Sequence, residues 1–577
     1  MQPNPQAADQ EPRSEPRPAP TPSETDGHLV AAVHLKPELA ERIGENYLNA
    51  PREALPPAQG VDAVLVLTQA LVARRRRVVR DVLVLVLILV SGLSALPYTL
   101  LFLFGWGVLW LFWSLTFGRH GPRAATAPRA DEEETSTAGL VSTLVFLGGW
   151  FFFGAISSTI VTLTDPFPTD PDSSGGSSSP WAGLLVMLLF MLPWVPVLVV
   201  LLLDKWVTRH LIASVGGRNP VSANPVVSGL ANVLTSSVTH DHADLLNAVA
   251  QRRDGNAVLA HTGWHAFPGY GDRLNAWTFP LVLRPRKQDA EAPALRPREL
   301  YSAVTEELLS MSESDRLAPN RRLRELSVGP VVVVNTTQLH HNSAAPTARS
   351  LLSNGSGPPL SSVSPETMDS LLEEDTEWAR HFQQSSVLSW NSELFVSTLF
   401  NISCDDRTLY LEWNAYCLYP MAPEYRLSGS VRNTFNDVAS STLLEFLQTL
   451  GSIAWRWRTL VGTLPRRRIN RPRDNNVHSI RELVADEECA NEFQDLDGQR
   501  HITLLQERTL SAVHNHLAER GFSTEALEEQ TTRIINNTTN NFHGSQFLGA
   551  QNFGANSTAA AVVAPSTTTR GPGRNDG

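Results

Sequence analysis

A chain of 577 residues with 42% hydrophobic and 18% charged residues is long enough for several folding units and has an ordinary globular average. Its net charge of -11 argues against a surface that neutralises phosphates, so nucleic acid is not an expected partner. The three cysteines, Cys404, Cys417 and Cys489, are odd in number and lack C-x-x-C spacing, which excludes a disulfide framework and a thiolate zinc site; no cofactor is expected.

Residues 1–27 are rich in Pro and polar residues and read as a disordered N-terminus. Residues 28–80 form an N-terminal segment that ends in Arg74, Arg75, Arg76, Arg77 and Arg80. From Val82 to Phe117 no residue is charged, a run roughly twice as long as one helix needs to cross a ~30 Å hydrocarbon layer. Ser91, Gly92, Ser94 and Pro97 suit a reversal in its middle, giving two spans at about 82–96 and 98–117. Further apolar runs at about 139–163 and 181–203 complete a four-helix transmembrane region over residues 81–204. Arg119, Arg123 and Arg129 follow the second span, and Lys205, Arg209 and Arg218 the fourth. Four crossings put all these cations on one side, so the sequence predicts a multi-pass plasma-membrane protein with both termini cytoplasmic.

Residues 205–435 mix two periodicities and predict a cytoplasmic α+β domain. His240, His242 and Asp244 lie in an H-D-H-A-D run one histidine short of a two-metal hydrolase signature. They are a candidate metal set, or the run caps the helix expected over Ala243–Arg252. The loop GWHAFPGYGDR offers Trp264, Phe267, Gly269, Tyr270, Gly271 and Arg273 as a ligand or partner surface; the alternative is a structural turn with its aromatics packed inward. A helix is expected over Pro297–Met311. Strands are expected at VGPVVVVN (328–335), LFVSTLFNI (394–402) and LYLEWNAYCLY (409–419), the last with one buried face.

Residues 436–473 carry an apolar stripe at helical spacing, from Leu443 to Leu464, followed by Arg466, Arg467 and Arg468. With Trp457 these suit a helix on the anionic inner leaflet of a lipid bilayer, and equally a helix packed on the folded core. Residues 474–535 read as a helical hairpin turning at Gly521, and residues 536–577 as a low-complexity disordered tail.

The stretches HLVAAVHL, NAVLAHTGWHAFPGYGDRLNAWTFPL, ARHFQQSSVLSWNSELFVSTLF, RTLYLEWNAYCLYP and LLQERTLSAVHNHLAERGFSTEALEEQTTRIINN resemble a family of uncharacterised multi-pass membrane proteins of actinomycete bacteria. That resemblance implies location and architecture and carries no catalytic residue. No G-x-S-x-G, H-E-x-x-H or phosphate-loop motif occurs. The sequence therefore predicts a membrane-anchored scaffold or sensor acting through a protein partner or a homo-oligomer, with a membrane-bound metal-dependent hydrolase as the alternative.

Overall fold

The computed structural model describes residues 22–48, 55–94, 194–215, 224–254, 258–286, 295–313, 323, 325–373, 376–405, 407–427, 435–449, 453, 456–457 and 478–542. Its first part is helical. Ser23 opens α1 (Glu24–Leu35) with a reciprocal cap, the Asp26 N–H donating to Ser23 Oγ at 3.1 Å and the Ser23 N–H to Asp26 Oδ2 at 2.8 Å. The other oxygen of Asp26 accepts the Asp62 N–H at 2.8 Å, and Asp62 in turn caps α3 (Ala63–Ser94) by accepting from Val64 and Leu65. One carboxylate thus ties two helix starts together. Between them lies α2 (Pro37–Leu48), and α4 (Val195–Val215), α5 (Pro225–Asp241) and α6 (Ala243–Asp254) follow. Leu29, Val33, Leu39, Ile43, Tyr47, Val66, Leu67 and Leu211 meet in their common core.

This arrangement corrects the predicted membrane region. Among the described residues no helix is long and apolar enough to cross a membrane. The uncharged run beginning at Val82 is not an element of its own but the continuation of α3, whose preceding turns carry Arg74, Arg75, Arg76, Arg77, Arg80 and Asp81. The apolar run before Asp204 likewise continues in α4 through Asp204, Lys205 and Arg209. The cations taken as flanks that stay on one side of a bilayer are in part interior: Arg76 and Asp204 are each about 6% exposed and sit 3.5 Å apart. With the finding on helix length, this overturns the four-helix transmembrane region and the multi-pass plasma-membrane location with its orientation. The spans predicted at 98–117 and 139–163, with the rest of the other two at 95–96 and 181–193, lie outside the described residues, as do residues 1–21 and 543–577.

The helices within 205–254, expected in the α+β unit, pack in the first part instead; the second part is an α+β unit that begins at Val258. Its six strands are β1 (Val258–His261), β2 (Asp272–Val282), β3 (Leu326–Asn335), β4 (Ala379–Ser389), β5 (Leu394–Cys404) and β6 (Thr408–Leu418), in the order β1-β3-β4-β5-β6-β2. Only β1 and β3 pair in parallel; the other neighbours are antiparallel. The alternation in β6 is realised as read: Leu409, Leu411, Trp413, Ala415 and Cys417 are buried on one face. That face is covered by α7 (Pro297–Glu313) and α12 (Glu492–Glu519), with Trp413 stacked on Trp277 at 5.8 Å and 10°. The chain also forms α8 (Thr336–His341), α9 (Pro346–Ser350) and α10 (Pro365–Glu373) between β3 and β4.

Helix α11 (Phe435–Thr449) packs on α3 and α4, where Phe446 joins Val84, Trp194, Val197 and Leu201. In the described part of this segment Arg456 is 4% exposed and bonds Asp81 and Glu445, while Trp457 is exposed. Arg466, Arg467 and Arg468 lie outside the described residues. After α12, Gly521 turns the chain at φ +83° into α13 (Glu525–Phe542), the predicted hairpin.

Candidate functional site

Parallel strands present their carboxyl ends at one edge of a sheet, and that edge is where open α/β sheets receive ligands, because side chains from neighbouring strands and the following turns converge there. Here His261 ends β1 and is the register partner of Asn335, which ends β3. The antiparallel β4 starts at the same edge, and its approach is fixed by the Asn335 N–H donating to the Trp378 carbonyl at 2.9 Å. Around this edge a groove of about 450 Å³ is lined by His261, Phe267, Asn335, Trp378, Arg380 and Glu412, with Gln338 and Glu377 at its rim. Its size lies in the range of small-molecule sites.

Phe267 and Phe382 form an edge-to-face pair at 5.3 Å that makes the apolar floor. The charged groups stand above it. Arg380 Nη1 lies 3.8 Å from Glu412 Oε2, an ion pair too long for a hydrogen bond, and the Arg380 side chain is 58% exposed. Glu412 Oε1 accepts from Asn414 Nδ2 at 2.9 Å, which orients the carboxylate. Burial holds His261 below the usual imidazole range. Its Nδ1 lies 3.1 Å from the Gly263 carbonyl, which can only accept, so Nδ1 carries the proton and Nε2 of the neutral ring is an acceptor.

The predicted loop splits between wall and surface. Phe267 and Tyr270 are buried, and the Tyr270 hydroxyl donates to Gln384 Oε1 at 2.8 Å. Gly269 and Gly271 adopt φ of +93° and +80°, and a Cβ on Gly271 would lie 2.4 Å from the Cys417 carbonyl oxygen. Their N–H groups donate to Glu482 Oε1 at 2.7 and 3.3 Å, so a single carboxylate locks the loop. Arg273 and Trp264 face outward, Trp264 being 94% exposed. Of this set, the groove receives Phe267 alone.

His240, His242 and Asp244 lie at the junction of α5 and α6. His242 caps the end of α5, its N–H donating to the Val238 carbonyl at 3.0 Å, and Asp244 occupies the acidic first turn of α6. The His240 side chain is 91% exposed, and the Asp241 carboxylate is held low by Arg75. Among the described residues no group of three or more His, Cys, Asp or Glu is placed to hold a metal ion.

Sequence reasoning missed His261, Asn335, Arg380 and Glu412. The alternation of β6 does put Glu412 on the face opposite Trp413, but nothing local in the largely polar run ARHFQQSS marks β4 as a strand of the same sheet.

Residues 276–550, 275 of the 577, match the AbeC-like domain family, a stretch that begins within β2 and covers the groove except for His261, Ala266 and Phe267. No curated protein and no solved structure matches the chain. The family match carries no statement of membrane or of source.

Proposed function

We propose that this chain is a non-enzymatic sensor whose α+β unit takes a small ligand in the groove at the carboxyl ends of β1 and β3. The observation that carries this reading is the groove itself, where a donor fork, an oriented carboxylate, an imidazole acceptor and an aromatic floor converge. The helical unit is the responding part. Strand β4 starts at the groove, and the turn after it meets α1, where Thr25 Oγ1 donates to the Asn391 carbonyl at 3.5 Å. Arg481, fully buried, donates to the Glu393 carbonyl in the same turn. A protein partner or a second copy would then read the helical unit.

Gln338→Trp tests the reading, since Gln338 is exposed at the groove's rim and an indole there fills the space without removing a core contact. The sub-kilodalton fraction of the host's own extract should stabilise the wild-type chain against unfolding, by about 2.7 kcal/mol for a ligand at a hundredfold excess over Kd. It should leave Gln338→Trp unmoved. Equal responses of the two proteins, or none in either, would contradict a groove ligand.

A further inference from the structure

We infer that the groove selects a zwitterion, a free α-amino acid with an apolar side chain; this rests on the reading of the groove as a ligand site. Among the described residues the lining carries one cation, Arg380, two carboxylates, Glu377 and Glu412, and a neutral His261. A phosphate or a dicarboxylate would face both carboxylates with a single guanidinium to hold it, so nucleotides and polyanions are disfavoured. A simple cation would face Arg380. A ligand with both charges carried on one carbon offers a partner to Arg380 and to Glu412 at once.

The geometry supports this division. At 3.8 Å, Arg380 and Glu412 are near enough to be bridged by one small molecule and too far apart to satisfy each other's hydrogen bonds. The planar guanidinium matches a carboxylate bidentately. An α-ammonium carries three N–H donors, and Glu412 Oε2, beside Arg380, is an acceptor for it. Phe267, Phe382 and Trp378 offer an apolar floor for the side chain, and a groove of about 450 Å³ holds an amino acid of leucine or phenylalanine size.

Titration calorimetry of the full chain with L-phenylalanine and L-leucine, and with phenethylamine and 3-phenylpropionate as half-analogues, tests the inference. The amino acids should bind at least tenfold tighter than either half-analogue. Arg380→Gln, which alters an exposed side chain, should weaken the amino acids and 3-phenylpropionate by roughly 10- to 100-fold, the worth of a charge-assisted hydrogen bond, and leave phenethylamine unchanged. Glu412→Gln should do the converse. A half-analogue that binds as tightly as its amino acid, or amino-acid binding indifferent to Arg380→Gln, overturns the zwitterion. If that binding still disappears in Gln338→Trp, the groove reading stands alone. If none of the four compounds binds, the zwitterion falls, and the extract comparison decides separately whether the groove reading falls with it.

Discussion

The helical unit and the sheet unit bury polar groups in opposite ways. Among the described residues, the helices enclose full charges: Arg76, Asp81, Asp204 and Arg456 are each under 8% exposed, with Arg80 and Glu445 close by. Arg80 reaches Asp204 at 3.3 Å and Glu445 at 3.2 Å, and Lys205 reaches Glu445 at 2.9 Å, so cations and carboxylates from α3, α4 and the α11 segment form one network. Arg77 instead donates to the Val33 and His34 carbonyls at the end of α1, a cation on the negative end of a helix. The strands bury neutral groups such as Gln383, Ser385, Ser397 and Asn414, and the charged pair on their open face, Arg380 and Glu412, stands beside the groove, while the buried Arg481 is held at the turn after β4. The lesson is that the charges of the α3–α4–α11 network are structural while Arg380 and Glu412 are open to a ligand, and substitutions can separate the two.

The largest effect should come from removing one member of the buried network. Asp204→Ala leaves Arg76 without the carboxylate nearest it, and a guanidinium stranded in the interior costs about 3–5 kcal/mol. A urea midpoint that reports less than about 1 kcal/mol would place Asp204 in solvent and break the contrast. In the sheet the comparable loss is apolar: Leu411→Ala, at a fully buried position, should cost about 2–5 kcal/mol, and its effect should not change with salt.

Acid should then act on both regions by the same sign. Burial, with Arg76 and Arg77 nearby, lowers His34 from 6.5 to about 3 despite its hydrogen bond to Gln69. Burial similarly lowers His381 and His501 to about 4. Each folded value lies below the unfolded one, so the native state binds fewer protons; the associated stability is complete above pH 6.5 and is lost as pH falls toward 3–4. Burial raises Glu445, but Arg80 and Lys205 outweigh it and hold the carboxyl near 2, so a further loss follows below pH 4.5. Each histidine contributes a slope of up to about 1.4 kcal/mol per pH unit. His34→Gln should flatten the curve between pH 6 and 4 in equilibrium denaturation, and an unchanged slope would show that His34 titrates in solvent.

The smallest effect belongs to an exposed pair. Arg520 and Glu299 join the α12–α13 hairpin to α7 with both side chains more than a third exposed, and Arg520→Ala should cost no more than about 1 kcal/mol by the same urea measurement.

How much of this was legible follows the same division. The strands at 328–335, 394–402 and 409–419 were readable because β-branched and aromatic residues alternate or cluster there and the turns around them are marked. Strand β4 was not, since Gln383, Gln384, Ser385 and Ser386 look like surface while the fold buries most of them between β3 and β5. The arginines from 74 to 80 were read as flanks because a charge run before an apolar run has that meaning for a bilayer. Their partners, Asp204 and Glu445, lie more than a hundred residues away, and no local pattern joins them. The groove failed to show for the same reason: His261, Asn335, Arg380 and Glu412 come one each from β1, β3, β4 and β6, a single polar side chain in an otherwise ordinary strand.

The account stands or falls on the contact between Asp81 and Arg456, 375 positions apart in the chain and both buried. A double-mutant cycle with Asp81→Asn and Arg456→Met, read by urea denaturation, should give a coupling of about 2–3 kcal/mol. Additivity within about 0.3–0.5 kcal/mol would show that the two side chains do not meet, and the ionic core of the helical unit would have to be abandoned.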